Sequence, residues 1–295
     1  MLRRTLSRLT LLLIVAGFRG SAEPLPAAGF LQDIPFHGHG ALFGGFSALH
    51  VSADGLRFVA VSDHGAFVTG QFKRDGAGRI LSIATGDVTP LLGRNGKPLQ
   101  PGHTDSEGLA MAPDGTTFIS FEGPARVLQY PVLGGAAKML LSHRDFDAMD
   151  SNASLESLAR DASGALYTLP EDPGLARTVF PVYRFAHGVW DQPFSLPRRR
   201  PFLVSDATFG PDGRFYILER AFLGFGFATR LRRFDLTADG ATKETTVLQT
   251  DPGTFDNLEG LSVWRDAKGL RATMVTDDNF FPLLRSQIVE YRLPD

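Results

Sequence analysis

The chain has 295 residues, 43% of them hydrophobic and 21% charged, with no Cys, 32 Gly, 19 Pro and 24 Phe. That balance is too apolar for a disordered chain and too polar for a multi-span membrane protein. The missing Cys excludes disulfides, thiolate metal sites and a cysteine nucleophile, and a formal charge of −2 with a pI near 6.4 argues against a dedicated nucleic-acid binder.

Met1 to Ala22 reads as an export signal. Arg3, Arg4 and Arg8 form a basic start, Leu9 to Phe18 a short apolar run, and Gly20-Ser21-Ala22 a small-residue cleavage site. The apolar run is too short to span a bilayer, and no later segment is long enough to do so. The expectation is a signal peptide over 1–22 and one domain over 23–295, periplasmic or secreted, with no stable membrane insertion. Removing 1–22 takes away four Arg and no acid, which moves the formal charge from −2 to −6.

One segment then recurs along the chain. The copies begin FSALHVSADGLRFVAVSDHG at Phe46, SEGLAMAPDGTTFISFEG at Ser106, LESLARDASGALYTLPED at Leu155, VSDATFGPDGRFYILER at Val204 and LEGLSVWRDAKGLRATMVTDDN at Leu258. Each is a β-like run, a turn and a second β-like run. Asp54-Gly55, Asp114-Gly115, Ser163-Gly164 and Asp212-Gly213 are hairpin dipeptides. The equivalent positions Ser47, Glu107, Glu156, Ser205 and Glu259 are 60, 49, 49 and 54 residues apart, a period of propellers and solenoids.

Two further strands follow each hairpin, as in Arg126 to Leu133 and Ala137 to Ser142, or Thr229 to Leu236 and Glu244 to Gln249. Four antiparallel strands make a propeller blade. The last unit supplies three, ending at Ser286 to Leu293, and Phe30 to Ile34 is the natural fourth. The expected fold is therefore all-β, a single propeller of five four-stranded blades closed by the two chain ends. Six blades is the alternative if Ile80 to Leu92 belongs to another unit. Two stacked sandwiches would not require the repeat.

In a blade, the start of the first strand and the end of the second share one face. That places Glu107, Glu156, Glu259 and Asp206 near Asp63, Glu122, Glu171, Asp172, Glu219, Asp277 and Asp278 at one mouth of the channel. Clustered carboxylates need a counter-charge, and an all-oxygen donor set points to Ca²⁺ before other divalent cations. The expected metal ligands are Asp63, Glu107, Glu156, Asp206, Glu259 and Asp277. Glu122 or Glu219 is the candidate general base, and His64 and His103 are candidates for acid–base work. Arg220 and Arg198, in the run Arg198 to Arg200, could meet an anionic substrate; alternatively Arg220 pairs with a carboxylate and the run is solvated. Ala221 to Ala228, AFLGFGFA, either lines a pocket or packs between blades, with packing favoured.

These ordered units resemble the phytase-like domain, described as "esterase-like activity of phytase", over Gly29 to Leu293. The resemblance implies a β-propeller, bacterial export and phosphate-ester hydrolysis, with recurring positions matching Asp63, Glu107, Glu122, Glu156, Glu259 and Asp277. The fourth unit departs with Ser205-Asp206 in place of Glu-Gly, and the third with Pro170-Glu171-Asp172. No Gly-x-Ser-x-Gly elbow, HExxH or phosphate-loop signature occurs. The expected function is a Ca²⁺-dependent hydrolase of phosphate or other esters, acting as a monomer on a small molecule. A non-enzymatic binding propeller with a structural Ca²⁺ and a lactonase-type propeller are the alternatives.

Overall fold

The computed structural model describes residues 29–40, 42–150, 152–281 and 283–295. The expected signal peptide lies outside them. The regular structure of the described residues is almost all strand, arranged as five separate antiparallel sheets. No helix among the described residues is long and apolar enough to cross a membrane.

Each repeat unit supplies the two inner strands of one blade. They are Phe46–Val51 and Arg57–Ser62 in blade 1, and Ser106–Met111 and Thr117–Phe121 in blade 2. Blade 3 has Ala159–Arg160 and Leu166–Thr168, blade 4 Leu203–Phe209 and Phe215–Phe222, and blade 5 Asn257–Asp266 and Gly269–Asp277. Ile80–Thr85 is the outer strand of blade 1, and Thr89–Pro90 pairs back onto its third strand. The ring therefore has five blades, and the six-blade alternative is overturned. Phe30–Pro35 pairs with Gln287–Arg292 and completes blade 5, where the Gln32 Nε2 also donates to Glu290 at 2.8 Å. Closure joins the two chain ends in one blade, while each blade keeps its own outer edge strand.

The core lies between blades rather than within one sheet. Five hydrophobic clusters fall one per interface; Leu218 and Leu231 of blade 4, for example, pack with Leu261 and Met274 of blade 5. A middle strand covered on both faces needs a continuous apolar run, which is why Phe58 to Val61 does not alternate. Gly115 takes a φ of 90° at its hairpin turn, a conformation that disfavours any side chain.

Every first strand carries the same irregularity. Pairing slips by one residue between Phe46 and Ala48, Ser106 and Leu109, Val204 and Asp206, and Leu258 and Gly260. The pairs Leu155–Pro170 and Ala159–Tyr167 show the same one-residue offset in blade 3. Such a bulge re-aims a side chain. It turns Ser47, Glu107, Glu156, Ser205 and Glu259 toward the channel mouth.

Blades also approach one another closely below this point. A Cβ on Gly108 would lie 2.3 Å from the backbone nitrogen of Leu158 in the next blade. Gly108→Ala is expected to lower stability by about 1–3 kcal/mol, because backbone cannot yield as a side chain would. An unchanged midpoint in urea unfolding would contradict that packing.

Candidate active site

Three rings of positions build the mouth. The inner ring is the bulge set. The residue before each bulge pair gives Gly45, Asp105, Ser154, Leu203 and Asn257. The residues directly opposite these, where the second strands exit, are Asp63, Glu122, Glu171, Arg220 and Asp277. Backbone bonds from Asp63 N to Gly45 O, Glu122 N to Asp105 O and Glu171 N to Ser154 O mark the register, as do the pairs Leu203–Arg220 and Asn257–Asp277. The exit ring is thus acidic in four blades and carries Arg220 in the fifth position.

Arg220 reaches across blades. Its Nη2 lies 3.0 Å from Glu171 and 3.5 Å from Glu156, and its Nη1 lies 2.9 Å from both Glu259 and the Asn257 amide oxygen. The Asn257 amide nitrogen donates to Glu259 at 2.7 Å. Arg220 therefore serves as the partner of carboxylates, not as a cation held ready for a substrate anion.

One guanidinium does not balance the surrounding acids. Burial first, and then neighbouring carboxylates, push the Glu107, Glu156 and Asp277 carboxyls well above the usual range. Burial likewise lifts Glu122 to about 8, against the pull of the Ser154 N–H, and raises Glu171 and Glu259 despite Arg220. Groups so perturbed and gathered in a channel mouth mark a functional-site candidate.

The other sequence-derived residues separate into those at the mouth and those away from it. Asp206 is one residue beyond the inner ring and is 2% exposed. It accepts from Ala207 N and Leu261 N, both at 2.7 Å, and from Leu158 N, so its oxygens link blades 3, 4 and 5. Backbone donors already occupy this carboxylate. Glu219 points to the opposite face of its strand from Arg220. It is fully buried against Arg230 at 2.7 Å and Arg232 at 2.6 Å, and is remote from the mouth chemistry.

His103 lines a peripheral cleft with Arg126, Leu128 and Met139. Arg198 is buried and tied to Asp172 at 2.7 Å and to the Gly174 carbonyl at 2.9 Å. Neither Glu219, His103 nor Arg198 joins the site expected of it. Asp105, which the sequence reading missed, does join it. Its signal was its place two residues before Glu107, hence on the same face of the chain.

His64 stands at the rim. Its Nδ1 lies 2.5 Å from Asp63 Oδ1, and its ring packs against Phe280 at 4.4 Å between centroids. Asn279 and Phe280 both hold a φ of 48°, fixed by bonds from their N–H groups to Asp277 and Asp278. Such left-handed conformations in two non-glycine residues cluster at functional sites. Phe222 lies two residues past Arg220, on the same strand face, and is 42% exposed, with Phe225 at 79% beyond it. Of the Phe/Gly segment, Ala221 and Ala228 pack with Phe202, while Phe222, Leu223 and Phe225 form an apolar rim.

Three carboxylates lie close enough together that they could hold a cation. Asp105, Glu107 and Glu122 each present one oxygen, all within 4.8 Å of one another. Ca²⁺ takes oxygen ligands at about 2.3–2.6 Å, so the spacing suits it.

Fold and site together define a five-bladed propeller with a carboxylate-ringed mouth. The chain belongs to the phytase-like family, described as "Esterase-like activity of phytase", whose profile matches residues 41–280. No curated protein matches it in sequence. Among solved structures it is similar to the PQQ-bound aldose sugar dehydrogenase of Streptomyces coelicolor, at 14% identity and TM-score 0.47, over 92% of this chain and 100% of that one. It is also similar to the gluconolactonase XC5397 of Xanthomonas campestris, at 12% identity and TM-score 0.47, over 84% and 72% of the two chains. Likeness at this level carries no argument about activity.

Proposed function

We propose that the protein is an exported, Ca²⁺-dependent hydrolase of esters, with its reaction at the acidic mouth. The observation that carries this is the convergence of buried carboxylates, their pKa values raised, around a single arginine that is already engaged. A bound hard cation would supply neutralisation of this charge and polarisation of the ester oxygen. The His64–Asp63 pair handles the proton. The contact of Nδ1 with Asp63 Oδ1 holds the imidazole in place to take a proton from an attacking water. Family membership supports an ester as the substrate.

The rim narrows the substrate class. Arg220 is committed to Glu156, Glu171 and Glu259, so a polyphosphate would find no spare cation on the exit ring. Phe222, Phe225 and Phe280 instead favour an ester carrying one charge or none and an apolar group.

The test is a panel of p-nitrophenyl phosphate, p-nitrophenyl butyrate and a sugar lactone, each assayed with Ca²⁺ and with EDTA. Chelator-sensitive turnover of at least one is expected, and His64→Ala should lower kcat by about 100-fold or more. Absence of such turnover on every substrate would sink the hydrolase assignment. A chelator-induced fall in melting temperature without turnover would instead favour a binding propeller stiffened by its cation.

A further inference from the structure

The far face of the ring, where the hairpin turns lie, carries a second concave site that the mouth chemistry does not use. Blade 1 outgrows its neighbour there. Its third strand, Ala66–Arg74, has nine residues, whereas the third strand of blade 2, Arg126–Tyr130, has five and its outer strand, Lys138–Met139, two. Blade 2 therefore covers only part of the side of blade 1 that faces it. Nearer the mouth, Ala48, Val61 and Phe67 pack against Leu109, Ile119 and Leu128. Toward the turns the same side continues as two cross-strand rows, His50–Val59–Thr69 and Ser52–Arg57–Gln71. These rows floor a cleft of about 940 Å³, whose other wall is Met111 and Pro113 of blade 2 with Arg160 of blade 3.

The lining is cationic. It contains Arg57 and Arg160 and no Asp or Glu. Neither guanidinium forms a salt bridge among the described residues, and Arg160 reaches only the Asp161 carbonyl, at 3.4 Å. The acids of the adjacent turns are engaged by their own loops. Asp54 accepts from Ser52 Oγ and from Leu56 N at 3.0 Å, and Asp114 from Thr116 N at 2.9 Å. Those hydrogen bonds, ahead of any arginine, hold both carboxyls below their ordinary range.

His50 stands at the inner end of the cleft, on the strand nearest the axis, and makes no hydrogen bond to a described residue. Burial lowers its pKa to about 4, so it is a neutral imidazole with one N–H to donate and one nitrogen to accept. A polar group desolvated without a partner is costly, and a ligand in the cleft would supply the partner.

We propose that this cleft binds a small organic anion, a phosphate or carboxylate on a hydroxyl-bearing body. Arg57 and Arg160 supply the positive field, His50, Thr69 and Gln71 meet the hydroxyls, and Val59 and Met111 supply the apolar wall. The volume falls within the range of small-molecule sites. The two faces of the ring thus differ in sign, acids at the mouth and uncommitted arginines at the cleft, so an anion is steered to the far face. The site stands apart from the hydrolase assignment and is defined by binding, not turnover.

The full chain is titrated by calorimetry at pH 7.5 in EDTA, which would silence a cation-dependent reaction at the mouth. The probes are glucose 6-phosphate, glucuronate, glucose and inorganic phosphate, so that one sugar ring is presented with a phosphate, a carboxylate or a hydroxyl. One site per chain is expected for glucose 6-phosphate or glucuronate, at least about tenfold tighter than for glucose or inorganic phosphate. Arg57→Gln and Arg160→Gln should each weaken it by about tenfold or more, and Arg144→Gln, an exposed arginine on the connection from blade 2 to blade 3, by less than about twofold. Thr69→Trp plugs the cleft from an exposed strand position without changing charge. It should abolish binding while moving the melting temperature by no more than about 2 °C. Failure of both sugar anions to bind, equal affinity for glucose or inorganic phosphate, or an equal loss for Arg144→Gln would overturn the assignment. So would a Thr69→Trp protein that binds as tightly as the unsubstituted one.

Discussion

Arg220→Gln is expected to lower stability by about 3–5 kcal/mol at pH 8 in a chelator, the cost of leaving buried partners without their opposite charge. The loss should shrink toward pH 5. Burial works against the guanidinium charge, yet Glu259, Glu171 and Glu156 more than restore it and hold the Arg220 pKa above its ordinary value. The same acids have folded-state pKa values raised above those of the unfolded chain. The native state therefore holds protons that the unfolded state releases, and stability falls as pH rises from the unfolded carboxylate range through the folded values. Without Arg220 those values climb further, so the gap between variant and unsubstituted protein widens with pH. Urea unfolding in EDTA at pH 5 and pH 8 checks this. An equal loss at both would mean that Arg220 acts by packing rather than charge.

Asp206→Ala should cost about 3–6 kcal/mol, because three buried backbone N–H groups lose their acceptor together, each worth about 1–3 kcal/mol. The donors belong to Leu158, Ala207 and Leu261, from three successive blades. Thermal unfolding should show the loss in chelator and in Ca²⁺ alike, since these backbone bonds do not involve the proposed cation. Rescue of the variant by Ca²⁺ would argue that Asp206 is a cation ligand after all. Burial pushes the Asp206 carboxyl upward while the backbone donors pull it back. Asp206→Asn is accordingly the milder change, keeping one acceptor oxygen and presenting an NH₂ group to a backbone donor.

Repetition made the ring legible in the sequence. Five hairpins of like spacing, a three-strand last unit and an unclaimed N-terminal strand left one way to close it, and Phe30–Pro35 takes that place. The acids at the mouth were legible for the same reason: position within a repeat predicts position around an axis. Side-chain direction was harder. Glu219 and Arg220 are adjacent, and a pairing slip of one residue decides which of them faces the mouth. Without the bulge, alternation alone cannot be phased.

Asp206 illustrates a second limit. Its departure from Glu-Gly was visible, but not that the backbone donors of neighbouring blades would take up its oxygens. Asp105 was hidden because it precedes the strand in a segment with no apolar pattern to anchor it. Its equivalence to Asn257, two residues before the aligned Glu-Gly-Leu, gains meaning from the cross-strand pairing.

The clasp of blade 5 also governs when the molecule can become itself. Gln32 and Glu290 meet across 258 residues of chain, so the earliest described strand waits for the last one to be synthesised. Until then Phe30–Pro35 has no partner, and the apolar faces of blades 5 and 1 have nothing to close against. Pairings this distant in sequence are slow to form. The interfaces among blades 1 to 4 can pack earlier, but the ring itself closes only with the last strand.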